Sequence, residues 1–148
     1  MGSRRPLILY AESSAVLSWL FGESRGDEML RLLEAAEFVV TSDLTLVECH
    51  RAFERARSLD QISEDVFEGL RGLLDEVAAS WIPLRLSDGI LERARGSFPE
   101  EPLRALDALH LATALHVAEL FPEIRLLTLD DRVRRSAQAL ELQILPPS

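Results

Sequence analysis

Four carboxylates, Glu12, Glu48, Asp107 and Asp130, stand where they could jointly hold a hard divalent cation. Glu12 directly follows the apolar run Leu7-Ile8-Leu9-Tyr10-Ala11, so a charge appears just as the chain leaves what reads as a buried strand. Asp130 follows the apolar stretch RLLTL in the same way. Glu48 lies in SDLTLVECHRAFERA, and Asp107 in PLRALDALHLATALHVAEL. All-oxygen ligation, without a cysteine or histidine cluster, suits Mg²⁺ or Mn²⁺ rather than structural zinc. The natural chemistry of such a set is metal-assisted phosphodiester hydrolysis. One ion lowers the pKa of the attacking water, and a second, where present, stabilises the leaving oxygen.

Taken singly, most of these acids have an ordinary explanation. Glu12 can serve as an acid at a helix N-terminus, where the macrodipole favours it by up to about 1 kcal/mol. Asp130 makes a good N-cap for the helix of DRVRRSAQAL, with Asp131 in its first turn. Glu48 falls opposite the stripe of Leu46, Cys49, Phe53 and Ala56, beside Arg51 and Arg55, as an exposed acid with an i,i+3 partner would.

Asp107 is different, because it shares a face with Leu103, Leu111, Ala114 and Ala118. A carboxylate there is costly unless paired, protonated or bound to a cation. The chain has no lysine to pair with it, which leaves Arg104 and His110. His110 could form a D-x-x-H ligand pair with Asp107, although a hydrogen-bonded core histidine is the commoner outcome. His50 and His116 show no partner pattern.

The elements that must position these residues alternate along the chain. Strands are expected at 6–11, 37–41, 81–85, 125–129 and 142–145. Helical periodicity covers 13–21, 25–36, 43–58, 62–79, 88–97, 104–120 and 131–140. Ser13, Ser42, Ser63, Ser87 and Asp130 occupy N-cap-like positions. Such alternation implies a three-layer α/β/α domain around a parallel sheet of four to five strands. Ligands in such sheets gather beyond the carboxyl ends of the strands, where Glu12 and Asp130 fall.

Composition bounds the remaining choices. The 148 residues, 47% hydrophobic, suit a single domain spanning 1–148, with residues 1–5 expected to be flexible or cloning-derived. No apolar run is long enough to span a bilayer or to act as a signal peptide, so no membrane partner and a cytoplasmic location are expected. Cys49 is the single cysteine, which rules out an internal disulfide. The net charge of −9 speaks at first against nucleic acid. Two features soften that: all 16 basic residues are arginines, whose forks suit phosphate oxygens, and acids engaged by metal do not repel phosphate.

Four blocks in order, ILYAESSAVLSWL, VVTSDLTLVECHRAF, LRALDALHLATAL and LLTLDDRVRRSAQAL, give the chain a family resemblance. It resembles the PIN-domain ribonucleases, specifically the VapC toxins of bacterial toxin–antitoxin pairs, from Leu7 to about Leu145. By position, the resemblance places the metal-binding, catalytic acids on Glu12, Glu48, Asp107 and Asp130. It makes Ser14 and Thr128 supporting hydroxyls, and Asp131 a neighbour that is not itself a ligand. It implies an Mg²⁺- or Mn²⁺-dependent endoribonuclease acting on RNA, silenced by a cognate antitoxin protein and commonly a homodimer. The helical hairpin of residues 43–79 is the expected docking surface.

One departure stands out. The family has aspartate where this chain has Glu12, in Glu12-Ser13-Ser14-Ala15. The extra methylene requires the carboxylate to fold back or the metal to shift. A PIN-like domain with weakened catalysis, acting mainly by binding its antitoxin or RNA, is therefore the alternative. Phosphoryl-transfer receivers and haloacid-dehalogenase-type phosphatases are disfavoured because each needs a lysine. Nucleotide-binding classes are disfavoured because no G-x-x-x-x-G-K-[ST] or G-x-G-x-x-G loop is present.

Overall fold

A computed structural model describes residues 5–148. Residues 1–4 lie outside the described residues, and with them most of the segment expected to be flexible; Arg5 is exposed. The element order is β1 (Ile8–Ala11), α1 (Ser13–Leu20), α2 (Gly26–Ala35), β2 (Phe38–Ser42), α3 (Asp43–Ser58), α4 (Glu64–Ala78), β3 (Ile82–Leu84), α5 (Asp88–Ala94), α6 (Ala105–Leu120), β4 (Arg125–Leu127), α7 (Asp131–Ala139) and β5 (Gln143–Leu145). The five strands form one parallel sheet in the order β3-β2-β1-β4-β5.

The period-2 geometry of β1 divides the core into two layers. Leu9 and Ala11 point to the side of α1–α4, where they pack with Val16, Met29, Phe53 and Leu74. Ile8 and Tyr10 point to the opposite side, against Leu111, Val117, Leu126 and Val133 of α6, β4 and α7. Helices therefore cover both faces, which accounts for the continuous apolar reading of β1. On α3, Cys49, Phe53 and Ala56 are buried as their periodicity requires, while Leu46 is half-buried.

Sheet order fixes where ligands can reach. From β1 the chain steps through β2 to β3 on one side, then returns to build β4 and β5 on the other. β1 and its neighbour β4 thus flank the point where winding reverses, the position at which open parallel sheets bind their ligands. Ala11 pairs with Leu127, and the Glu12 N–H donates to the Leu127 carbonyl at 3.1 Å. Glu12 and the Thr128-Leu129-Asp130 turn consequently emerge side by side.

The helix starts follow the expected caps at Ser42, Ser63, Ser87 and Asp130, whose side chains accept backbone N–H groups. At α1 the expectation of Ser13 is corrected. Glu12 is the N-cap and accepts from the Ser14 N–H, while Ser13 is the first helical residue. The longer glutamate folds back over its own helix start and does there what a serine or aspartate does elsewhere. Among the described residues no helix is long and apolar enough to cross a membrane.

Candidate active site

Glu12 is held from four directions. Its Oε2 accepts from the Ser14 N–H at 3.1 Å, from the Ser14 hydroxyl in a very short contact, and from the Thr128 hydroxyl at 2.8 Å. Its Oε1 accepts from the Ser13 hydroxyl at 3.0 Å. These donors satisfy a carboxylate that is only 4% exposed. The supports are themselves fixed: the Thr128 hydroxyl accepts from the Asp130 N–H at 3.1 Å, and the Ser14 hydroxyl from the Leu129 N–H at 2.9 Å. The Ser14 and Thr128 hydroxyls lie 3.3 Å apart. The start of α1 and the turn after β4 are thereby fastened together through Glu12.

Glu48 joins the same group from α3. The Ser13 hydroxyl lies 3.2 Å from Glu48 Oε1, so its single proton is shared between Glu12 and Glu48. His110 makes a very short contact from Nε2 to the same Glu48 oxygen and stands 4.0 Å from Glu12 Oε1. The sequence places Glu48 beside Arg51 and Arg55. The structure instead turns it inward to a histidine 62 positions away.

His110 is thus a buried, hydrogen-bonded residue whose Nε2 turns to Glu48 rather than to Asp107. A carboxylate only accepts, so Nε2 carries a proton toward Glu48. On its other side Nδ1 meets the Tyr10 hydroxyl at 3.0 Å, and Tyr10 meets the Ser42 hydroxyl at 3.0 Å. Burial raises the Tyr10 pKa well above its usual value, so the phenol keeps its proton. Ser42 in turn caps α3 through the Thr45 N–H. Sequence reasoning missed this chain of contacts. Its one local signal is a tyrosine inside a strand covered on both faces, since a buried phenol requires a partner.

Asp107 and Asp130 form the second couple. Asp107, 4% exposed in the first turn of α6, accepts from Arg104 Nε at 3.2 Å. Asp130 uses Oδ1 to cap α7, accepting from the N–H groups of Arg132 and Val133 at 2.9 and 3.0 Å. Its Oδ2 faces Arg104 Nη2 at 3.8 Å. The Arg104 pKa is raised, first by the Asp107 hydrogen bond and then by the charges of Asp107, Asp130 and Glu48. Asp131 is exposed on the first turn of α7. His50, for which no partner was expected, faces Asp75 of α4 at 3.6 Å.

The four acids therefore form two couples, linked through Thr128, which bonds both Glu12 and the Asp130 N–H. Glu12 and Glu48 share Ser13 and His110, whereas Asp107 and Asp130 share Arg104. Among the described residues, no three carboxylate, imidazole or thiol groups are arranged to grip an ion as they stand. The carboxylates are turned toward hydroxyls, an imidazole and a guanidinium. The donor set nevertheless fits a hard dication: it is all-oxygen carboxylate with two hydroxyls behind it, and a guanidinium occupies the cation's role between two of the acids. Cys49 adds no sulfur ligand. Burial, followed by the charges of Glu48 and Glu12, pushes its thiol up to about 12, so it stays protonated within the core.

Comparison with known proteins places this geometry in context. The sequence matches the PIN domain family over residues 9–139. It is 34% identical over 140 residues to ribonuclease VapC46 of Mycobacterium tuberculosis, covering 95% of this chain and 98% of that protein. The fold is similar to the crystal structure of FitAcB from Neisseria gonorrhoeae, with a TM-score of 0.66 and 16% identity over 94% of this chain and 97% of that one. It is also similar to VapBC2 from Rickettsia felis, whose structure is bound to a DNA fragment from their promoter. There the TM-score is 0.60 at 16% identity, over 93% and 97% of the two chains.

Proposed function

Because the chain belongs to the PIN domain family and to its VapC-type branch, we propose that it is a divalent-metal-dependent endoribonuclease, the toxin of a type II toxin–antitoxin pair. The observation that supports this reading is the pairing of Glu12 with Glu48 through Ser13 and of Asp107 with Asp130 through Arg104, with Thr128 bonded to both Glu12 and the Asp130 N–H. These four residues would hold Mg²⁺ or Mn²⁺. A dication there supplies positive charge to polarise water and the scissile phosphate.

The chain's own residues do the positioning. Ser14 and Thr128 orient Glu12, and the buried Ser42–Tyr10–His110 chain orients Glu48. The first turn of α6 carries Asp107, and the α7 cap fixes one oxygen of Asp130 so that the other faces Arg104. Outer partners of this kind typically carry 10- to 100-fold effects on metal affinity or activity.

Support for an antitoxin partner comes from the VapC relative and from the paired VapBC2 structure. The α3–α4 hairpin, the proposed docking element, carries exposed apolar side chains at Val47, Leu59, Val66 and Leu73. A homodimer is proposed on the family resemblance alone. The competing reading, a weakened site acting as an antitoxin- or RNA-binding module, is favoured by the hydrogen bonds that engage Glu12 fully.

One experiment separates the two. Purified protein with Mg²⁺ or Mn²⁺ is expected to cut structured RNA internally. EDTA is expected to stop cleavage, and added Mn²⁺ to restore it. Cutting that persists in EDTA contradicts the metal mechanism, and RNA binding without cutting favours the binding module.

A further inference from the structure

Arg104 is a cation among acids, yet its side chain is 63% exposed. Its partner Asp107 is almost fully buried, and Asp130 lies 3.8 Å away on a different helix. Its backbone forms the N-cap of α6 but its side chain makes no capping bond; it folds forward onto Asp107 in the first turn. An arginine with an open outer face can leave its carboxylates without unpacking anything. Arg134, by contrast, donates to the Thr128 carbonyl at 3.0 Å and is tied to backbone.

Two cations cannot hold the same carboxylate oxygens without competing. A dication on Asp107 and Asp130 repels a guanidinium at that position and removes its partners. Released from them, the guanidinium stays beside the acids on a side chain that already faces solvent. The nearest anion for it is then a phosphate of the bound RNA, which an arginine fork fits well. The chain holds no lysine to do this instead.

We propose that Arg104 is the resident counter-cation of Asp107 and Asp130, exchanged for the arriving dication and passed to the RNA phosphate. The inference rests on the metal-site reading above and assigns Arg104 two effects of opposite sign. Removing its charge should tighten metal binding and weaken RNA binding. A residue that only stabilises the start of α6 would do neither.

The test compares wild type with Arg104→Gln, Arg104→Lys and Arg25→Gln. The last removes a half-buried arginine paired to Glu28 on α2 and controls for net charge. Calorimetry with Mn²⁺ alone is expected to give about three- to ten-fold tighter binding for Arg104→Gln, and wild-type binding for Arg25→Gln. At saturating Mn²⁺, KM for an RNA oligomer is expected to rise about ten-fold in Arg104→Gln and to recover partly in Arg104→Lys. If wild type binds Mn²⁺ and Arg104→Gln binds it no tighter, or if KM does not move, the proposal is overturned while the metal site stands. If neither protein binds Mn²⁺, the metal-site reading itself fails and takes this inference with it.

Discussion

Asp107→Asn is expected to lower RNA cleavage by about 10³-fold or more, roughly 4 kcal/mol of transition-state stabilisation, while leaving the fold intact. The substitution keeps the shape of the side chain and removes one negative charge from a group that is almost wholly buried. Its structural cost is small. The lost contact is an i,i+3 pair to a largely exposed arginine, a type usually worth less than about 1 kcal/mol. Removing one of four neighbouring carboxylates also relieves repulsion within the cluster. The melting temperature in the absence of metal should therefore stay level or rise as activity disappears. Initial cleavage rates in Mn²⁺, measured beside thermal melts, check both halves. Retained cleavage would remove Asp107 from the site.

The second large effect is expected at Glu12, where two substitutions should part company. Glu12→Gln should reduce cleavage by about 10²- to 10³-fold, because an amide offers one weaker acceptor in place of two charged oxygens. Every donor now aimed at the carboxylate comes from Ser13, Ser14 or Thr128. The amide oxygen can keep the Ser14 N–H while its NH2 faces the Ser13 hydroxyl, which can turn to accept it, so the stability change is expected to be small, about 1 kcal/mol or less. Glu12→Asp should retain cleavage within about ten-fold of wild type, or exceed it. Aspartate keeps the charge and is an ordinary N-cap for α1. Side-by-side rates for the two variants decide the matter. Equal activity in Glu12→Gln and wild type would reduce Glu12 to a helix cap.

Much of this architecture is legible in the sequence. Apolar runs bounded by caps placed five strands and seven helices to within a few residues, because helix and strand periodicities are local properties of the chain. The strand-end rule likewise pointed to Glu12 and Asp130, since parallel sheets expose their carboxyl ends. Asp107 was legible because a charge on an apolar face requires a partner, and Arg104, one of two named candidates, is that partner.

What escaped were contacts between side chains distant in sequence. Tyr10 and His110 are 100 positions apart, and no periodicity encodes their meeting. Glu48 read as a solvent-side acid because its helix offers Arg51 and Arg55 at suitable spacing; α6 supplies His110 at closer range. The N-cap shift from Ser13 to Glu12 has a similar origin. Serine is the better cap by propensity, but the glutamate side chain is long enough to curl onto the Ser14 N–H. Arg104 could be named as a partner for Asp107, but its second role beside Asp130 depends on how α6 and α7 converge.

The central claim is that these four acids share a dication. Its most direct test is a crystal of the protein grown or soaked in Mn²⁺ and measured at the manganese absorption edge. The account predicts an anomalous peak about 2.1 Å from carboxylate oxygens of Asp107 and at least one more of Glu12, Glu48 and Asp130, with Arg104 turned away. A fully soaked crystal with no peak among these acids, and Arg104 still seated on Asp107, would contradict it.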